Sequence, residues 1–457
     1  MKKLIASILS AALLVTMVGC GDKSTSSDGG SQSSDTSGNS NTGDNGEWEG
    51  GGYITNPVKK TEDGTIDMEA ALAYETDIEA FEKELAEREV DLTLPVSFNA
   101  RNNPNTMKIW EFLRSTYGNQ IISAQMQMNL SKTYEDRVYY NATEDLPAMK
   151  GFDFIFTTTG EEGKNREFVD AALDWGTKSG GLVTFCWHWN VPRDINNPDL
   201  GKAFYMDNEG VKIVNWDVMN ATTPGTKEYE VVVHDIDLIA SYLQELEAAG
   251  ITVLWRPFHE ASGSWFWWGA QSGDKQAREK FRRLWYMMFD RLENYHKLSN
   301  IIWVWNGQSA KMSIEANAYD ISGIDFYASK EDHSSLAAQY EQLKKYTYDG
   351  KMLALTETGY IPDPEQCKKD GVMWLFYMPW NGDFIYEPVS ASSSAPVQDF
   401  YGTPNPNPAR LSNELLQEYF GSDVMFTWKD IPDALGGEHE VPQALKLWIF
   451  DKSSAEE

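Results

Sequence analysis

Basic residues are scarce in this chain. Thirty-nine Lys and Arg stand against 69 Asp and Glu, a formal charge of -30. So acidic a chain repels phosphate backbones and anionic headgroups, which argues against nucleic acid and anionic membrane surfaces as partners. Cysteine is scarcer still. Cys20, Cys186 and Cys367 are the only three, too few for a disulfide framework. With six His and no HxH or HExxH spacing, no metal is expected. No GxGxxG follows the first strand-like run and no Walker pattern occurs, so no nucleotide cofactor is expected either.

Aromatic residues, by contrast, are abundant at 13%, with 17 Trp. Flat apolar faces suit stacking on pyranose rings as well as core packing. At 457 residues the chain can bury a large core.

The first 20 residues, MKKLIASILSAALLVTMVGC, pair a short basic end with an apolar run. That run has signal-peptide length and is too short for a comfortable membrane span. Its end, Met17-Val18-Gly19-Cys20, resembles a bacterial lipoprotein processing box. Residues 1–20 are therefore expected to direct export, with membrane attachment through a lipidated Cys20. The protein would then be a cell-surface or outer-membrane-anchored lipoprotein, or otherwise secreted. Residues 21–55 are rich in Ser, Gly, Asp and Asn and read as a disordered tether. Residues 56–457 would form one catalytic domain, expected to be monomeric.

Eight apolar runs recur along that domain: 121–126, 152–158, 181–189, 252–258, 301–306, 321–327, 352–359 and 371–380. Buried parallel strands read this way. Helical patterns alternate with most of them, at 166–178, 233–249, 277–296, 334–346 and 409–420. The alternation predicts a (β/α)8 TIM barrel, with a doubly wound open sheet as the alternative. The insertions 190–227 and 381–408 follow strand ends and are expected to wall a cleft.

In such a barrel, polar residues at strand C-termini converge on one mouth. They are His188 and Asn190 (third run), Arg256, His259 and Glu260 (fourth), and Asn306 (fifth). Asp325 and Tyr327 (sixth), Glu357 (seventh) and Trp380 (eighth) complete the set. Two glutamates facing one gap suit glycoside hydrolysis, by retention at roughly 5–5.5 Å or inversion at roughly 6.5–9.5 Å. A tyrosine hydroxyl near one carboxylate would orient it and lower its pKa. Trp187, Trp189, Trp265, Trp267, Trp268 and Trp380 are candidate sugar platforms. Trp303 and Trp305, two apart on one strand, read as packing. A facial metal set of His188, His259 and Glu260, and a non-catalytic glycan-binding lipoprotein, are the competing readings.

The run WRPFHEASGSWFWWG (255–269) resembles the acid/base segment of glycoside hydrolase family 26, dominated by β-mannanases. The similarity extends to HWN (188–190), IIWVWN (301–306), GIDFY (323–327) and TETG (356–359), and spans roughly residues 100–432. Two stretches depart from the family pattern: Thr356-Glu357-Thr358-Gly359 stands where Ser or a small residue with Glu and Phe-Gly is common in the seventh strand, and Gly263-Ser264-Trp265 where Gly-Gly-Trp is common after the acid/base. The resemblance implies a (β/α)8 fold, a retaining mechanism and no cofactor. It makes Glu260 the acid/base, Glu357 the nucleophile and Tyr327 the nucleophile's partner. His188, Arg256 and His259 would line the site, and Trp380 would floor the reacting sugar's subsite. The implied partner is β-mannan or a related plant polysaccharide, cut as mannan, glucomannan or galactomannan. Mixed-linkage β-1,3-1,4-glucan, β-1,3-xylan and exo-release of mannobiose remain alternatives.

Overall fold

The computed structural model describes residues 56–159, 162–206, 211–271, 273–390, 395–399, 402–437 and 439–456. The expected export signal, Cys20 and the tether lie outside the described residues. Within them, eight parallel strands close a barrel: β1 Ile121–Met126, β2 Met149–Asp153, β3 Leu182–Cys186, β4 Val253–Arg256, β5 Ile301–Trp305, β6 Ile321–Phe326, β7 Met352–Thr358 and β8 Phe376–Pro379. Each pairs with the next, and β8 returns to β1 through Ile122↔Phe376. Closure leaves no sheet edge unpaired, which an open sheet could not achieve. A two-residue strand, Met425–Phe426, adds to the outside of β1.

Every residue of β1 to β5 and of β7 and β8 is buried, because helices cover the barrel's outer face and side chains fill its interior. Helices follow seven of the eight strands: Tyr134–Thr143, Glu162–Lys178, Lys227–Ala248, Ala277–Asp290, Ala337–Lys344, Pro364–Asp370 and Asn413–Phe420. After β5 the chain makes only two 3-10 turns, Ala310–Met312 and Ala316–Ala318. The first and sixth of these helices lie where the sequence showed no helical pattern. Pro364–Asp370 is nevertheless well specified. Asp363 caps two of its first amide groups and Gly371 closes it in the left-handed conformation.

Two strand boundaries differ from expectation. The second strand is 149–153 rather than 152–158. Its register to β3, from Met149↔Leu182 to Asp153↔Cys186, puts Asp153 at the C-terminal end. The eighth strand is confined to 376–379, since the start of its apolar run serves the helix cap.

The insertion at 190–227 is anchored rather than loose. Val191–Pro192 pairs with Lys202–Ala203. Tyr205 then bridges antiparallel to Phe266. Met206 N donates to Trp265 O at 2.7 Å and Trp267 N to Phe204 O at 3.2 Å. The insertion at 381–408 is held by the bridges Tyr386↔Pro406 and Gln398↔Pro404.

Candidate active site

Strand alternation explains which side chains enter the barrel. On β3 and just beyond it, Cys186 and His188 share the inner face, and Cys186 sits in register with Arg256 of β4. On β6, Asp325 is in register with Glu357 of β7. Tyr327 follows Asp325 by two and shares its direction.

Arg256 is buried at 1% exposure and clamps two carboxylates. Its Nη2 donates to Glu357 Oε1 at 2.6 Å and its Nη1 to Asp325 Oδ2 at 2.9 Å. The Tyr327 hydroxyl donates to Glu357 Oε2 at 2.6 Å. Both Glu357 oxygens are thus fixed in direction. Burial, and the charge of Asp325, push Glu357 up to about 7, while Arg256 and Tyr327 pull it back. Tyr327 is held well above its ordinary value by burial and the adjacent Glu357 charge, so it remains a proton donor.

Glu260 follows β4 and has different company. Its Oε2 accepts the Trp265 indole N–H at 2.6 Å, and among the described residues no cation bonds to it. Burial first, then the charges of Asp325 and Glu357, raise it well above the ordinary carboxylate range. The two glutamates therefore differ in proton affinity, with the proton favoured on Glu260. One carboxylate oxygen from each of Glu260, Asp325 and Glu357 lies within 4.8 Å of the others. That spacing lies on the side of direct attack, short of the wider gap of roughly 6.5–9.5 Å that an inverting pair keeps.

The backbone that delivers Glu260 is strained. Phe258 and Glu260 both take left-handed φ, +54° and +53°, at a cost of about 1–2 kcal/mol each. Surrounding bonds hold the turn. Gly263 N donates to Glu260 O at 2.8 Å, and the Trp268 indole donates to His259 O at 2.8 Å. Gly263 is required here, because a Cβ would lie 2.3 Å from the Trp265 ring.

His188 and His259 form a buried chain. Asp153 Oδ2 lies 2.5 Å from His188 Nδ1, and His188 Nε2 lies 3.2 Å from His259 Nε2. Burial, with His188 and Arg256 adding to it, drives His259 well below the usual histidine value, so it is neutral. Asp153 thus joins the site through His188. The expected strand boundaries had put it near the start of β2, far from the mouth.

The aromatic residues divide. Trp265 is half-buried beside Glu260. Trp380 lies 5.9 Å from the His188 ring. Trp187, Trp189, Trp267 and Trp268 are not platforms. They are 1%, 1%, 1% and 2% exposed and pack behind the site. Trp187 and Trp189 stack at 3.9 Å, and Trp267 donates to Trp189 O. His188 takes the inner face, so its two neighbours must take the outer one. Asn190 likewise spends its amide on the carbonyls of Ile155 and His188 instead of facing the mouth. Trp303 and Trp305 are buried packing, as expected.

Two groups of side chains have the proximity for a metal: Asp153, Cys186 and His188, and Glu260, Asp325 and Glu357. In the second, the Arg256 guanidinium already bonds Asp325 and Glu357. In the first, both His188 nitrogens are already engaged. The set of His188, His259 and Glu260 does not gather as a metal cluster.

A closed parallel barrel that presents two glutamates at this spacing, one on an Arg–Tyr clamp, has the architecture of a retaining glycoside hydrolase. The chain belongs to glycosyl hydrolase family 26, whose family model matches residues 98–402. It is 30% identical over 345 residues to mannan endo-1,4-beta-mannosidase B of Piromyces sp, covering 74% of this chain and 54% of that protein. It is 33% identical over 294 residues to a mannan endo-1,4-beta-mannosidase of Thermothelomyces thermophilus, covering 62% and 57%. The chain thus spans about half the length of these curated relatives. A crystal structure of a beta-mannanase from a symbiotic protist of the termite Reticulitermes speratus, complexed with gluco-manno-oligosaccharide, superposes with a TM-score of 0.62. It is 28% identical and covers 74% of this chain and 98% of that one.

Proposed function

We propose that this protein is a retaining endo-β-1,4-mannanase acting on mannan, glucomannan or galactomannan. The observation that carries the mechanism is the proximity of Glu260 and Glu357, with oxygens within 4.8 Å. The substrate reading draws on the mannosidase relatives and on a site lined by Trp265 and Trp380.

In the first step the Glu357 carboxylate attacks the anomeric carbon while Glu260 gives its proton to the glycosidic oxygen. The sugar–oxygen bond breaks and a glycosyl–Glu357 ester forms. In the second, the Glu260 carboxylate takes a proton from water. The water oxygen attacks the same carbon, releasing Glu357 and restoring the Glu260 proton. The assignment rests on the clamp: Glu357 has Arg256 and Tyr327 to favour its ionised form and aim it, and Glu260 has, among the described residues, a neutral indole donor alone. Arg256 positions Glu357, His188 and His259 line the sugar site, and Trp265 and Trp380 contact the sugar. No cofactor enters. We further infer export through residues 1–20, attachment through Cys20 and a tether over 21–55, with 56–457 as the catalytic domain.

The test is a product profile on mannan, glucomannan, mixed-linkage glucan and xylan, with NMR of the first-formed anomer. Mannan-derived oligosaccharides of mixed length, released with retained configuration, are expected. Faster cleavage of mixed-linkage glucan, release of mannobiose alone, or an inverted anomer would each overturn the corresponding part.

A further inference from the structure

Thr356 precedes Glu357 and breaks the pairing of β7. Across β6, Ile324 aligns with Leu355 and Asp325 with Glu357, so Thr356 is an extra residue with no partner. Across β8, Tyr377 aligns with Leu355 and Pro379 with Thr358, and the same stretch again holds one residue too many. A bulge bends the strand and re-aims the side chains beyond it. In a regular pleat, neighbouring side chains point to opposite faces. Here Thr356 and Glu357 both reach groups of the barrel interior.

The hydroxyl's single proton can be assigned. Asn306 Nδ2 lies 2.7 Å from Thr356 Oγ1 and 2.8 Å from Asp325 Oδ1. An amide nitrogen only donates, so Thr356 accepts from Asn306. Its own proton then goes to Asp325 Oδ1, 2.5 Å away. Asn306 Oδ1 faces the main-chain N–H of Glu260 at 3.4 Å, which fixes the orientation of its amide. Asp325 Oδ2 holds Arg256, and Arg256 holds Glu357. The space beside the bulge is reserved: a Cβ on Gly323 would lie 2.6 Å from Thr356 Cγ2 and 2.8 Å from its Oγ1.

We propose that Thr356 is a positioning residue for the double displacement, a one-residue bulge whose hydroxyl, committed to Asp325 and tied to Asn306, sets the aim of Glu357. This rests on the reading of Glu357 as nucleophile. Thr356→Val keeps the branched shape against Gly323 and removes only the hydroxyl. It is expected to lower kcat about 10-fold or more with KM changed less than about 3-fold, since sugar contacts are untouched. Thr356→Ser, which restores the hydroxyl, should return kcat to within about 3-fold of the parent. Gly323→Ala, which pushes on Thr356 without altering any hydrogen-bonding group, should reproduce the kcat loss and serves if the valine variant does not fold. Circular dichroism checks folding in each. Parental kcat in folded Thr356→Val or Gly323→Ala, or equal losses in the Val and Ser variants, would overturn the proposal. Glu357→Ala separates the two readings: turnover in that variant would defeat the nucleophile assignment itself, while a dead Glu357→Ala beside a fully active Thr356→Val defeats only this inference.

Discussion

Trp265 donates its indole N–H to Glu260 Oε2 at 2.6 Å, the one side-chain hydrogen bond to that carboxylate among the described residues. A donor to a carboxylate favours its ionised form and lowers its pKa. Trp265→Phe should therefore raise Glu260 further and move the alkaline limb of kcat/KM to higher pH. A kcat loss of about 10-fold should accompany the shift as Glu260 loses its orientation. An unmoved alkaline limb in the pH profile would show that the bond does not act on Glu260.

The active form needs Glu357 ionised and Glu260 protonated. Glu357 is pushed up to about 7 and Glu260 well above its ordinary 4.5. Turnover is therefore lost as pH falls through the lower of the two and again as pH rises through the higher. A bell on the neutral-to-alkaline side is expected for kcat/KM, with both limbs belonging to the coupled pair. An acid limb at the ordinary carboxylate value on a soluble manno-oligosaccharide would contradict the buried environment of Glu357.

Removing each glutamate should have distinct consequences. Glu357→Ala should abolish turnover on every substrate, aryl mannosides included, by about 10⁴-fold or more. Glu260→Ala should spare the first step on aryl glycosides with good leaving groups, so that a burst of the aryl alcohol precedes a slow steady state. Equal loss on good and poor leaving groups would remove Glu260 from the acid role.

Glu135 offers a stability test away from chemistry. It is fully buried with no side-chain partner among the described residues, and burial pushes it up to about 7. Between about pH 4.5 and 7 the folded state binds the extra proton, so stability falls as pH rises through that window and levels off above it. Glu135→Gln cannot ionise. It should gain on the order of 3 kcal/mol at about pH 8 and almost nothing at about pH 4 in denaturant unfolding. The same change at both pH values would mean that burial of the charge is not its cause.

The barrel and its main site residues were legible because buried parallel strands leave continuous apolar runs, and their polar exceptions mark the mouth. Glu260, Glu357, Arg256 and Tyr327 stood out for that reason. Asp153 did not. The run FDFIFTT continues past the strand, since Phe154 and Ile155 stay buried beyond its end. Apolarity alone therefore misplaced the strand's register. Trp187 and Trp189 were ambiguous singly, although once His188 faces inward, alternation turns both away. The bulge at Thr356 had no sequence signal, because it is defined by the partners on β6 and β8 rather than by β7 itself.

The 190–227 insertion is stitched to the expected acid/base segment by main-chain bonds between Phe204 or Met206 and Trp265 or Trp267. The two stretches therefore form one hydrogen-bonded unit. A loop grafted from a relative without its matching 265–267 segment would arrive with those bonds unmade. Recombination among such enzymes should preserve this pair together, and engineers seeking new specificity should exchange both at once.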